Sequence, residues 1–397
     1  MDDVELYFNA SNGGEITEYY DVSVDPNRSR NLVNLGWKPY YNLLPLFSSL
    51  FYKPGYPDLV FSTGGDAGAR LWLLGNTSEY VILQSSSRIV NRVGQVAKDV
   101  SGNAIYVNST WIIHDNGLVS VERTFYVPRY VTIPPGWRWY PFYVTRRAGF
   151  TPNATFYMFN TTYGFSSVVN ETTYKDIFSL FPILYGDTRD VFGVAFPFFN
   201  ASLGGDGAHN ILVAYKYDEL VSVDEWRADN YHSNKNSVTE GGAVHEFSEA
   251  MQVSTHTYHA VLNFTHQPTD EESVQSFAGY YAENAEMALV MECSVTTNKD
   301  LYQPGDDYAF YGSGLAYYNL TELEARLTVK DGSNRLIYRQ DYGPANIMAG
   351  QVFNLTLLEG TVGLDAVPGN YTVSLQISSP FGIVIASSSR MITVSES

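Results

Sequence analysis

Short stretches of alternating apolar and polar residues, parted by Gly, Pro, Asn and Asp, recur along almost the whole chain. A period of two is the signature of half-buried strands. The clearest case is AIYVNSTWIIHDNGLVSVERTFYV, residues 104–127, where two β-rich runs flank Asp115-Asn116-Gly117. Asn and Gly tolerate the positive φ of a tight turn, so a hairpin is predicted there. Val119, Val121, Thr124 and Tyr126 alternate with polar neighbours, which predicts a sheet with one face on the core and one face wet. Further strands are predicted at 71–83, 156–159, 191–198 and 211–217. The connections YKPGYPD, STGGDAGAR and SLGGDGAHN are rich in Gly and Pro and suit loops at the ends of a sandwich. The clearest helix candidate is TDEESVQSFAGYYAENAEMA, residues 269–288: Thr269 can cap, Asp270, Glu271 and Glu272 meet the positive end of the helix dipole, and helix formers follow.

A chain of 397 residues has room for two or three domains. From Ser294 the texture becomes a compact series of strands, with turn signals at Asp331-Gly332-Ser333-Asn334 and Pro380-Phe381-Gly382. Short strands at this spacing fit an immunoglobulin-like sandwich. The expected architecture is all-β: a large antiparallel β-sandwich over residues 1–293, with the helix near 270–288 at its end, then a smaller immunoglobulin-like β-sandwich over 294–397.

Two stretches carry likenesses to known families. Tyr302-Gln303-Pro304-Gly305-Asp306, followed by Tyr311-Gly312, resembles the Y-x-P-G-D…G opening of macroglobulin-type and bacterial immunoglobulin-like domains of surface proteins. This resemblance covers residues 294–397, implies a fold in which the Pro-Gly pair turns the chain between the first strands, and implies no chemistry. Asp307 stands where those domains more often have Ser or Thr. VELYFNASNGGEITEYYDVSVDPNRSRNLVN, residues 4–34, is similar to the first hairpin of galactose-mutarotase-like sandwiches, with Gly13-Gly14 as the turn and Asn31-Leu32 after the second strand. Sandwiches of that family occur in sugar epimerases, polysaccharide lyases and accessory parts of glycosidases.

Composition narrows the setting. A net charge of -18 and a pI of about 4.7 disfavour nucleic acid and anionic membranes as partners. Charged residues make up 17%, against about 25% in average globular proteins, while Tyr (31) and Phe (22) are abundant, a balance suited to a secreted or envelope protein. Twelve Asn-x-Ser/Thr triplets occur, at Asn9, Asn27, Asn76, Asn108, Asn153, Asn160, Asn170, Asn200, Asn263, Asn319, Asn354 and Asn370. Chance would supply roughly four. For any single triplet, the crowding of Asn and Thr in turn-rich β chains is explanation enough, but twelve together point to N-linked glycans on an extracellular surface. The single Cys293 excludes an intramolecular disulfide framework, and its apolar neighbours read as core. No run of about 18 apolar residues could cross a bilayer. Met1-Asp2-Asp3-Val4 is acidic where a secretory leader would be basic. Met1 is therefore expected to start a fragment whose leader has been removed, with any membrane attachment through an anchor outside this chain; a viral surface protein made without a leader is the alternative.

Candidate chemistry is sparse. PPGWRWYPFYVTRR, residues 134–147, sets Trp137, Trp139, Tyr140 and Tyr143 among Arg138, Arg146 and Arg147. Exposed, it would be a ridge where rings stack on sugars and arginines meet uronic acids; otherwise it is core with an edge arginine. Of seven histidines, His245, His256, His259 and His266 cluster with Glu246 and Glu249, while His114, His209 and His232 lie apart. An epimerase would need a His and a Glu across one sugar, yet His256 and His259 fall on opposite faces of one strand. Asp224 and Glu225, with Asp229 nearby, point opposite ways on a strand and make a poor acid/base pair. Asp206 and the pair Asp306 and Asp307 are loop carboxylates suited to structural Ca²⁺, without the spacing of a dedicated calcium loop. No other cofactor is expected: the chain lacks a nucleophile elbow, a phosphate loop, H-E-x-x-H and a dinucleotide fingerprint. The reading that follows is a glycosylated ectodomain at the cell surface acting in adhesion or S-layer assembly without catalysis, its partners glycans and other surface subunits. A secreted polysaccharide-binding or polysaccharide-cleaving protein, with its site in the first sandwich, is the alternative, and a viral or filament coat subunit a second.

Overall fold

The computed structural model describes residues 4–22, 26–28, 31, 48–147 except 57, 155–160, 164–170, 191–197, 210–216, 225–233, 238–265 except 248, and 289–396 except 381, with backbone alone at 21, over the described residues of 143–246, at 259 and over 261–265. The helix predicted at 269–288 lies outside the described residues. In chain order the strands are β1 (Val4–Asn9), β2 (Glu15–Asp21), β3 (Ser48–Tyr52), β4 (Val60–Ser62), β5 (Arg70–Asn76), β6 (Tyr80–Arg88), β7 (Val90–Asn91), β8 (Tyr106–His114), β9 (Leu118–Tyr126), β10 (Val131–Ile133), β11 (Arg138–Arg147), β12 (Thr155–Asn160), β13 (Gly164–Asn170), β14 (Val191–Pro197), β15 (Asn210–Lys216), β16 (Glu225–Ser233), β17 (Val238–Glu246), β18 (Met251–Val253) and β19 (His256–Thr265). They continue as β20 (Met291–Thr297), β21 (Leu301–Tyr302), β22 (Asp307–Ala316), β23 (Leu320–Asp331), β24 (Leu336–Ile347), β25 (Val352–Thr361), β26 (Gly369–Ser378) and β27 (Val384–Val394). The protein is all-β, as the period-two pattern requires. It divides into one compact unit of residues 1–73 and 78–288 and a second of 74–77 and 289–397.

In the first unit a nine-stranded sheet, β13-β12-β14-β15-β19-β9-β8-β6-β5, and a six-stranded sheet, β16-β17-β11-β3-β4-β7, carry the core. The predicted hairpin is β8 and β9: Gly117 has φ +90°, and the Leu118 amide donates to Asn116 Oδ1 at 3.0 Å. The run predicted as one strand over 71–83 is two, β5 and β6, broken at Thr77 to Glu79. A second turn has a tighter steric cause. Gly13 has φ +76°, and a Cβ there would stand 2.5 Å from the Thr63 carbonyl oxygen, so the chain enters β2 only with glycine at that position.

The wet-face expectation for β9 needs correction. Val119, Val121, Arg123 and Phe125, at alternate positions, are all buried, and so is Ser120 on the other face. Arg123, a charged side chain, is fully inside. The other face is covered at Leu118 and Ser120 but half-buried at Glu122 and Thr124 and exposed at Tyr126, so alternation maps onto exposure only over the second half of the strand.

The second unit is a sandwich of β20-β22-β25 against β21-β27-β26-β23-β24, antiparallel except where β21 runs parallel to β27. Its core gathers Val295, Tyr302, Phe310, Leu327, Leu357, Val373, Leu375 and Ile392. The Tyr-Gln-Pro-Gly-Asp stretch turns the chain between β21 and β22: Gly305 has φ +91°, and the Asp306 amide donates to the Gln303 carbonyl at 3.0 Å. Between β23 and β24, Asp331 Oδ1 accepts from the Ser333 and Arg335 amides at 3.0 and 2.9 Å, while Asn334 takes φ +63°. Gly382, φ +76°, turns β26 into β27.

Candidate functional site

The aromatic segment is core. Trp137, Trp139 and Tyr140 are only 9%, 3% and 2% exposed. Their rings stack inward, Trp137 on Phe51 at 4.5 Å, Trp139 beside Phe125 at 4.6 Å and Tyr140 on Tyr52 at 6.0 Å between centroids. The sugar-stacking ridge is thereby corrected for these three residues. The cause is β11's place between β17 and β3: the successive Trp139 and Tyr140 point to opposite faces, and both faces are covered. Arg146 and Arg147 pair through their backbones with Thr239 and Val238; their side chains, and that of Tyr143, lie outside the described residues.

Beneath that strand, among the described residues, is a buried polar cluster that sequence reasoning missed. Arg123 Nη2 donates to Glu15 Oε2 at 2.7 Å, with side chains 0% and 1% exposed. Arg123 Nε donates to Ser109 Oγ at 2.8 Å, and Nη1 donates to the Pro141 carbonyl at 2.9 Å and to Ser49 Oγ at 3.3 Å. Its guanidinium lies 4.8 Å from the Phe142 ring centre and 5.5 Å from that of Trp111. Glu15 Oε1 accepts from Thr63 Oγ1 at 3.1 Å, and Thr63 Oγ1 accepts the Ser49 amide at 3.0 Å. Burial pushes the Glu15 carboxyl up to about 7, against the pull of Arg123 and Thr63. Burial likewise lowers Arg123, which the Glu15 carboxylate opposes. Because neither side chain meets solvent, the pair has no route to a substrate. It ties β2, β3, β8, β9 and β11 together, and its chemistry is positional. The signal available in the sequence was parity, since Arg123 shares the alternation of Val119, Val121 and Phe125.

A second, nearer-surface pair holds the loop before β5. Asp66 accepts from Arg88 Nη2 at 2.6 Å, from the Arg88 amide at 2.7 Å and from the Gly68 amide at 3.1 Å. Burial opposes the Asp66 charge, but Arg88 and the two amides outweigh it and hold the carboxyl below its usual range.

The remaining predicted residues do not converge. Asp306 Oδ2 accepts the Gln303 amide at 2.9 Å and Oδ1 meets Lys299 Nζ at 3.1 Å, whereas Asp307 Oδ1 accepts from Thr361 Oγ1 at 2.9 Å. The two neighbouring carboxylates thus serve a turn and a strand pair separately. Asp206 lies outside the described residues, and among those described no group of three or more His, Cys, Asp or Glu could hold a metal. His245 is on β17 of the six-stranded sheet, His256 and His259 on β19 of the nine-stranded one, and His209 and His266 lie outside the described residues. Burial lowers the pKa of His114 and of His256. Cys293 is half-buried, and burial pushes its thiol up to about 11.

The acceptor asparagines behave differently. Asn9, Asn27, Asn76, Asn354 and Asn370 are exposed, and Asn108 and Asn319 are half-buried. Side-chain oxygens position several of them: Asn9 Oδ1 accepts the Ser11 amide at 2.9 Å, Asn108 Oδ1 accepts from Ser86 Oγ at 2.7 Å, and Asn370 Oδ1 accepts from Thr393 Oγ1 at 2.9 Å. In each of these the bonded atom is the oxygen, whereas a glycan attaches at nitrogen. Asn153 and Asn200 lie outside the described residues, and Asn160, Asn170 and Asn263 are described by backbone alone.

No protein family and no curated protein sequence matches this chain. Among solved structures, it is similar to the CARDB domain of a Pyrococcus furiosus protein at 10% identity, over 27% of this chain and 94% of that domain, with a TM-score of 0.21. A Bacteroides uniformis beta-glucuronidase is 9% identical over 70% of this chain and 26% of its own, with a TM-score of 0.22. Salmonella alpha-2-macroglobulin is 8% identical over 99% of this chain and 33% of its own, with a TM-score of 0.21. This chain thus spans between a quarter and a third of the latter two.

Proposed function

We propose that this chain is the glycosylated ectodomain of a cell-surface protein that works by assembly or adhesion and carries no catalysis. The supporting observation is that none of the seven acceptor asparagines with a described side chain is buried. A glycan is bulky and solvated, so accessibility is the condition each used site must meet. The two units are then a scaffold and a contact module, and the closed Glu15–Arg123 pair holds the larger one in register.

Glycopeptide mass spectrometry of native material tests this directly. Asn9, Asn27, Asn76, Asn354 and Asn370 are expected to carry sugar, with lower occupancy at the half-buried Asn108 and Asn319. Native protein with every one of these asparagines bare refutes the reading.

A further inference from the structure

We propose that β24 is a homotypic docking edge, at which two copies of this chain pair antiparallel about a two-fold axis through Gln340. The inference deepens the assembly reading above and rests on it.

Among the described residues β24 ends its sheet and is hydrogen-bonded on one side only, to β23. The outward-pointing amides and carbonyls of such a strand template pairing with another chain. Along β24 only Tyr338, Tyr342 and Ile347 are half-buried, the rest being exposed, including Leu336 at 51% and Ile337 at 49%. Proteins protect free edges with charges, bulges, prolines or glycans. The far half of β24 has such protection: Gly343 takes φ +121°, Pro344 has no amide hydrogen, and the register with β23 shifts twice between Leu320 and Ala325. The next strand, β25, ends the other sheet and carries the exposed acceptor Asn354. The near half, Leu336 to Tyr342, has neither proline nor acceptor triplet; its register shifts once, between Leu336 and Tyr338, and its charges are Arg339 and Asp341.

What it does carry is self-complementary. An axis through Gln340 sets residue i opposite residue 680 − i of the second copy, by the antiparallel rule that opposite positions sum to a constant. Arg339 then faces Asp341 of the second copy, twice. Tyr338 faces Tyr342 twice, both rings on the inner face, where each already packs on its own core. The ladder formed within the open half is then Tyr338 to Tyr342; Leu336 and Ile337 fall opposite Pro344 and Gly343, where the pairing ends. A register centred on Arg339 or on Asp341 would instead oppose like charges. Within one chain Asp341 is bridged by Arg326 at 2.6 Å and by Arg339 at 2.8 Å, all three exposed, so the charges stand at the edge and can be shared across it. The Tyr342 hydroxyl donates to the Leu357 carbonyl, which leaves Asn354 three residues further toward the β24–β25 turn, about 10 Å away at strand spacing. A glycan there leaves the near half open.

Sedimentation velocity of the full chain should show a concentration-dependent dimer of micromolar affinity, because a pairing of about five residues on each copy is smaller than the ~1,600 Å² of a standard interface. Arg339→Asp and Asp341→Arg should each weaken self-association at least tenfold. An equimolar mixture of the two variants should regain it, since both facing pairs are then again opposite in charge. Gln340→Cys, self-facing with Cβ atoms about 5 Å apart, should form a disulfide-linked dimer on mild oxidation while the parent protein does not. Circular dichroism of each variant checks that it is folded. A strictly monomeric chain, a dimer untouched by both charge reversals, or a mixture that fails to associate overturns the pairing. Glycosylated but monomeric protein would sink this inference alone, whereas bare asparagines on native material would sink the surface reading and leave the dimer measurable.

Discussion

Arg123→Met removes one half of the buried pair and leaves a shape close to the original. The guanidinium donates to Glu15, Ser109, Ser49 and the Pro141 carbonyl. The substitution leaves the Glu15 carboxylate with Thr63 and without its counter-charge and takes a donor from Ser109, while the Pro141 carbonyl keeps the Ser49 hydroxyl at 2.8 Å. Breaking a buried ion pair from one side costs about 3–5 kcal/mol. The pH dependence is specific. Glu15 is raised from 4.5 to about 7, so its contribution favours folding below pH 4.5 and is lost as pH rises toward 7. Without Arg123 the carboxyl rises further, and the variant continues to lose stability above pH 7, at up to about 1.4 kcal/mol per pH unit relative to the parent. Glu15→Gln keeps an oxygen for Arg123 to bond but removes the counter-charge of a buried guanidinium, so it too should cost about 3–5 kcal/mol. The double variant should cost less than the sum of the singles, because the stranded charge is gone. Urea unfolding followed by tryptophan emission isolates the first unit, since Trp37, Trp72, Trp111, Trp137, Trp139 and Trp226 all lie within its residues. An Arg123→Met variant within about 0.5 kcal/mol of the parent, or a difference that stays flat from pH 6 to 9, refutes the reasoning.

Two other substitutions follow from the same geometry. Trp139→Ala should destabilise the first unit by about 3–5 kcal/mol in denaturant titration, because the ring is 3% exposed; a surface stacking residue would cost almost nothing. Asp66→Asn should cost about 2 kcal/mol at pH 7 by thermal unfolding. Since the folded-state pKa of Asp66 lies below its usual value, its stabilisation is present above about pH 4 and is lost as pH falls through the folded value, so parent and variant should converge in acid.

The strands were legible because their determinants are local. The Asp-Asn-Gly turn between β8 and β9, the Pro-Gly turn before β22 and the Asp-Gly-Ser-Asn turn before β24 each place a glycine or asparagine where φ is positive, and no distant contact is needed to specify them. The break between β5 and β6 was not legible, because Asn76-Thr77-Ser78 continues the polar alternation of a strand. Faces were harder still. Period two tells which residues share a side, but whether that side is covered depends on a strand far away in sequence. For β9 the deciding partners are Glu15 and Pro141, 108 and 18 residues distant.

That distance also explains why the sequence left the aromatic segment open between ridge and core. Trp137, Trp139, Arg146 and Arg147 on one strand look like a binding ridge only if the strand is an edge or its sheet has a bare face, and local sequence encodes neither condition. Flanked by β17 and β3 and packed over Arg123, β11 instead supplies the Pro141 carbonyl that the buried guanidinium needs. A proline there forgoes an amide but keeps its acceptor, so the residue that looks least suited to an interior strand is the one whose carbonyl helps hold the charge inside.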